Sequence, residues 1–140
     1  MEAAFHELGV RVRRASAFEE LPEPNDVDRL VLLNAPYRSI YEHEARVEFM
    51  LYLDGETYLI EAKRQASKGS TDEKLAFVRL NARHNRDRHR FVLVMEGNGF
   101  REGARRWIAR ESASDDRFDV LTTLDSFRIW LQLKLREADG

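Results

Sequence analysis

Two glutamates and a lysine stand at spacings that could do chemistry. Glu48 lies in RVEFMLYL, Glu61 and Lys63 lie in YLIEAKRQ, and Asp54-Gly55 separates the two stretches. Asp-Gly is a strong hairpin signal, because a type I′ turn needs positive φ at both central positions. With Asp54 and Gly55 as the turn, Leu53 faces Glu56, Glu48 faces Glu61 and Arg46 faces Lys63. An odd-length loop or a bulge would break this register. Facing Cβ atoms lie roughly 4.5–5.5 Å apart. Two carboxylates that close need a cation between them or must share a proton.

Alternation sorts the hairpin into two faces. Val47, Phe49, Leu51, Leu53, Tyr58, Ile60 and Ala62 form an apolar face that must pack inward. Arg46, Glu48, Met50, Tyr52, Leu59, Glu61, Lys63 and Gln65 form the other, with its charges at the end away from the turn. Three arrangements fit the acids. Diagonal ion pairs could join Glu48 to Lys63 and Arg46 to Glu61. A divalent metal could sit among the oxygens, the ligand type that Mg²⁺ prefers. The carboxyls could also share one proton, which leaves Lys63 without a role. The hairpin alone keeps all three open.

The elements that must position these residues follow from pattern. EAAFHELG reads as a short helix stopped by Gly9, and VRVRRASAF and RLVLLN as strands on either side of a proline-containing loop. NAPYRSIYEHEA reads as a polar, irregular connection. After the hairpin, Ser70 with Glu73 makes a capping-box start for STDEKLAFVRLNARHN, whose apolar face is Leu75, Val78, Leu80 and Ala82. RFVLVMEG is a central strand and REGARRWIARES a helix with Ala104, Trp107, Ile108 and Glu111 at helical spacing. FDVLTTL is a strand, and DSFRIWLQLKL a helix with Phe127, Trp130 and Leu131 on one side. The order α, β, β, β, β, α, β, α, β, α predicts one mixed α/β domain over residues 1–140, an antiparallel hairpin feeding a helical crossover.

Composition narrows the function classes. Without cysteine there is no disulfide, thiolate metal site or cysteine nucleophile. No stretch is long and apolar enough to span a membrane, and no signal-peptide core opens the chain, so cytoplasmic residence is expected. The net charge of −2 is not that of a simple basic nucleic-acid binder. Positive charge is nevertheless concentrated in RLNARHNRDRHR and at Arg101, Arg105, Arg106 and Arg110. Arginine suits phosphate because its fork donates paired hydrogen bonds, but a solvated helix face explains such a cluster as well. GNGFREG and Lys68-Gly69-Ser70-Thr71 lack the spacings of dinucleotide and phosphate-binding loops, and cap and turn glycines explain them better.

An acid in one strand, then acid-x-Lys in the next strand, then a helix resembles the PD-(D/E)XK nucleases, which have the restriction-endonuclease-like fold. Here the elements are Glu48, then Glu61-Ala62-Lys63, with Gln65 on the same face. The stretch after Lys63 resembles a branch in which acid-x-Lys-x-Gln precedes a Gly-Ser segment ending in Glu-Lys. Asp72-Glu73-Lys74 also matches acid-x-Lys, but it sits in the capping turn of a predicted helix. The first acid is Glu48 where the family more often has Asp, and no proline precedes it.

The resemblance implies a restriction-endonuclease-like central mixed sheet and metal-dependent phosphodiester hydrolysis in DNA, as an endonuclease. It implies Mg²⁺ or Mn²⁺ held by Glu48, Glu61 and the Ala62 backbone carbonyl, with a further acid from the first helix, Glu7 or Glu2. Lys63 would orient or deprotonate a water, and Gln65 would hydrogen-bond the water, Lys63 or the phosphate. Arg46, Lys68, Lys74, Arg79, Arg83 and Arg86 become candidate DNA contacts, with Arg88 and Arg90 closing the helix end. His43, His84 and His89 are further candidate ligands or bases. A compact chain of this kind would take specificity from a homodimer or a partner. A catalytically silent relative that binds nucleic acid or protein is the alternative.

Overall fold

A computed structural model of the chain describes residues 1–67 and 71–140. The expected N-cap Ser70, and Lys68 with Gly69, lie outside the described residues. Helix α1 (Glu2–Glu7) precedes strands β1 (Arg11–Arg14), β2 (Leu30–Arg38), β3 (Glu44–Leu53) and β4 (Glu56–Arg64). Helix α2 (Thr71–His84), β5 (Arg90–Glu96), α3 (Glu102–Ala113), β6 (Phe118–Leu121) and α4 (Leu124–Asp139) follow. The element order is the predicted one.

The strands form one six-stranded sheet in chain order. β2, β3 and β4 are antiparallel, while β1–β2, β4–β5 and β5–β6 are parallel. Each parallel step after the hairpin is a helical crossover, as parallel neighbours require. Both sheet faces are covered, which is why β5 reads as an unbroken apolar run. On one face Leu75, Val78 and Ala82 of α2 and Ile108 of α3 pack over Met50, Tyr52, Leu59 and Leu93. On the other, Phe5 of α1 and Phe127, Trp130 and Leu131 of α4 pack over Phe49, Leu51, Ile60 and Val92. Leu80, expected on the buried face of α2, is 45% exposed. It lies five residues after Leu75, half a turn off the row through Val78 and Ala82. No described helix is long and apolar enough to cross a membrane.

The hairpin turn is as predicted: Asp54 and Gly55 have φ of 52° and 78°. The ladder pairs Leu53 with Glu56 and runs in that register to Phe49 with Ile60. Two expectations fail beside it. The segment read as irregular is mostly strand, because β2 runs to Arg38 and β3 begins at Glu44. Val47 also packs on the α2–α3 side and not with Phe49. One cause accounts for both. Asn34 takes a left-handed φ of 52°, and the β2–β3 pairing skips from Leu33–Phe49 to Ala35–Val47. Beyond this break the alternation is inverted, so Ala35, Tyr37 and Val47 share a face with Leu32 and Met50. A period-two reading of the sequence cannot pass through such a break, even though the register is the same on both sides of it.

Where β4 and β5 leave the sheet, glycines allow their exits to cross. A Cβ on Gly97 would lie 2.4 Å from the Gln65 carbonyl oxygen, and Gly97 has a φ of 95°. Gly97→Ala is therefore expected to lower unfolding free energy by about 1–3 kcal/mol. Urea denaturation would report this as a lower midpoint at unchanged slope; an unchanged midpoint would mean that the crossing is loose.

Candidate active site

Glu61, Ala62 and Lys63 sit on a strand whose backbone is fixed from one side. β4 pairs with β5 from Tyr58 to Arg64, so the segment cannot shift. On its other side the ladder to β3 stops at Ile60. The Ala62 N–H that this leaves is taken by a side chain: it donates to Glu48 Oε1 at 2.8 Å. In an extended strand the N–H and C=O of one residue point the same way. The Ala62 carbonyl therefore opens on the same gap as Glu48.

The two predicted acids are brought together. Burial pushes the Glu61 carboxyl up to about 8, the charge of Glu48 and a hydrogen bond between the two carboxyls add to this, and Lys63 opposes it. Neither diagonal ion pair forms. Arg46 donates instead to the carbonyls of Asn34 (2.9 Å), Ala15 (3.2 Å) and Ser16 (2.5 Å) and to Glu44 (3.0 Å). Among the described residues no cation lies within 4.0 Å of Glu48 or Glu61. Glu61 and half-buried Lys63 line a cavity of about 190 Å³ with Tyr37, Phe77 and Asn81.

Two carboxylates and a carbonyl form an all-oxygen donor set, the kind that hard divalent cations take. Burial and then the neighbouring Glu48 charge raise the Glu61 carboxyl, and a cation between the two acids would offset both. The residues present therefore fit Mg²⁺ or Mn²⁺. A third acid is not brought to them. Glu7 pairs with Arg128 of α4, and no group of three His, Cys, Asp or Glu among the described residues could hold a metal.

Other expected site residues have different partners. Gln65 is buried, and its amide donates to Gly99 O (2.8 Å) and Asp72 (3.1 Å), bracing the end of β4 against the starts of α2 and α3. Arg79 is 4% exposed, bonded to Glu111 (2.8 Å) and Asp115 (2.7 Å) and stacked over Phe118. Arg83 joins Glu111, and Arg86 joins Asp115 and Asp116. These arginines tie α2 to α3 and the turn after it; Arg79 is buried in doing so, while Arg83 and Arg86 remain exposed. Lys74 is exposed. His84 meets Glu42 at 3.2 Å. His89 bonds Thr57 beside the hairpin turn, and burial, with Arg88 and Arg117, holds it down to about 4.

Tyr37 was missed, because it lies in the segment read as irregular. Burial, helped by the Glu61 charge, pushes its phenol up to about 12, so it stays a neutral donor at the cavity.

Two outcomes follow. Folded Glu61 keeps its proton to higher pH than an unfolded glutamate, which titrates near 4.5. Its stability contribution is complete below that value and declines as pH rises towards about 8. In chelator, native unfolding free energy should fall over this window more steeply than that of Glu61→Gln; parallel slopes would contradict the shift. Arg79→Ala leaves buried Asp115 short of a partner and should cost about 3 kcal/mol in urea denaturation. A change below about 0.5 kcal/mol would mark Arg79 as a surface group.

The sequence profile of the PD-(D/E)XK nuclease superfamily domain matches residues 1–134. Searches of curated proteins and of solved structures each gave no match. The superfamily consists typically of phosphodiester hydrolases that use divalent metals. The match spans nearly the whole chain, and the mixed sheet with its antiparallel β2–β3–β4 segment agrees with it: the chain belongs to the PD-(D/E)XK nuclease superfamily.

Proposed function

We propose that the protein is a metal-dependent nuclease that hydrolyses phosphodiester bonds in DNA, acting within the strand. The observation that carries this reading is the meeting of Glu48 and Glu61 beside Lys63, with no ion pair to neutralise the acids. Glu48, Glu61 and the Ala62 carbonyl would hold Mg²⁺ or Mn²⁺. A cation bound there supplies charge stabilisation at a phosphoryl oxygen and a more acidic water.

The chain's own groups do the rest. The Lys63 ammonium lies beside Glu61, where it orients the attacking water and offsets negative charge growing on the phosphate. Its half-buried position strengthens that interaction, because less water screens it. Tyr37 keeps its proton across the working pH range and donates a hydrogen bond into the cavity. Gln65 acts through position: it fixes the end of β4, and with it Lys63.

A second reading, a catalytically silent domain that binds nucleic acid or protein, draws on one observation. Glu7 is committed to Arg128, which leaves two acids at the site. Incubation with plasmid and linear DNA, with and without Mg²⁺ or Mn²⁺, separates the readings. The native chain should cut only with metal, and Lys63→Ala should lose about a hundredfold or more in rate with unchanged unfolding. Equal cleavage by the variant would remove Lys63 from catalysis, and no cleavage by the native chain would favour the silent domain.

A further inference from the structure

Most large aromatic side chains of the chain are in its two cores, but a pair beside the candidate active site is not. Tyr41 is 65% exposed and Phe77 is 42% exposed. Their rings stack on one another, with centroids 6.1 Å apart and planes 27° apart. His43 adds a third ring, 6.3 Å from Tyr41. Single exposed apolar side chains are ordinary and need no account. A stacked pair continuous with a reactive cavity is a different matter: Phe77 lines the same cavity as Glu61 and Lys63.

The pair is also held in place. Tyr41 sits on the turn between β2 and β3, and that turn is bonded to α2. Ile40 N–H donates to Asn81 Oδ1 at 2.9 Å, and Asn85 Nδ2 donates to Arg38 O at 2.9 Å. Within the turn, Ser39 N–H donates to His43 O and Glu42 N–H to Ser39 O, both at 2.9 Å. A ring presented from a braced turn loses little freedom on binding, which favours its use as a platform.

Resting on the nuclease reading above, we propose that Tyr41 and Phe77 form a stacking platform for unpaired bases, and that the substrate strand enters the site single-stranded. The charges fit this occupant. Lys74 lies one helical turn before Phe77 on α2, exposed and without an ion pair among the described residues, and Lys63 lies in the cavity beyond. Backbone phosphates thus have one cation on the helix that carries Phe77 and another in the cavity that Phe77 lines, while the rings take base faces. Stacking of this kind tolerates any sequence, because every base has a flat face. In a duplex those faces are covered by neighbouring pairs, so a double strand cannot use the platform until it opens.

The test is binding of labelled oligothymidine, followed by fluorescence anisotropy in Ca²⁺, with an abasic oligonucleotide of equal length and a duplex as the other probes. The native chain should prefer oligothymidine to both. Tyr41→Leu/Phe77→Leu should weaken oligothymidine binding by roughly tenfold or more while leaving abasic binding unchanged. Tyr41→Phe/Phe77→Tyr keeps both rings and should bind as the native chain does. Unchanged oligothymidine binding by the leucine pair, or equal loss on the abasic strand, overturns the platform. So does self-association that depends on the rings without ring-dependent DNA binding. Cleavage assays separate this from the reading it rests on. Metal-dependent cutting of duplex that ignores the rings keeps the nuclease and removes the platform. Ring-dependent binding without any cleavage does the reverse.

Discussion

Two carboxylates held against each other at the end of a β ladder are the constraint around which this domain is arranged. Left in water, Glu48 and Glu61 would separate. Here the parallel pairing of β4 with β5 fixes one, and the hydrogen bond from Ala62 N–H holds the other. Glu48 stays exposed while Glu61 is half-buried, and burial together with the Glu48 charge takes the Glu61 carboxyl far from its ordinary titration range. Such a juxtaposition of acids persists only where surrounding structure holds it. The break at Asn34 and the early end of the β3–β4 ladder lie around this point.

The basic residues divide by the job the fold gives them. Arg46 closes three carbonyls near the break at Asn34, and Arg79, Arg83 and Arg86 lock α2 against α3 and the turn that follows. Asp115 shows how tightly: despite the cost of burial, bonds from Arg79, the Arg117 N–H and Arg86 pull its carboxyl down to about 2. The arginine-rich segment is thus largely internal bracing for the helix that roofs the cavity. Among the described residues Arg46 and Lys63 line the cavity, and Lys74 is exposed on α2.

Much of this is legible in the sequence. The Asp54-Gly55 turn sets the hairpin register as far as Phe49 with Ile60, which leaves Glu48 and Glu61 just past the end of the ladder and close enough to interact. Local chemistry decides such features, so sequence carries them. What was not legible depended on partners distant in the chain. Arg79 on a helix looks like a phosphate contact until Glu111 and Asp115, over thirty residues on, fold onto it. Gln65 reads as part of a catalytic motif, yet its amide goes to Gly99. Tyr37 was hidden because one left-handed residue inverted the alternation that would have revealed its strand. Glu7 stood in the expected helix, but Arg128 of the last helix takes its carboxylate.

A cation between Glu48 and Glu61 would relieve their repulsion. Isothermal calorimetry of Mn²⁺ binding to the native chain and to Glu61→Ala tests that directly. Saturable binding by the native chain, lost in the variant, is the predicted result. Equal binding in both, or binding in neither, would contradict it.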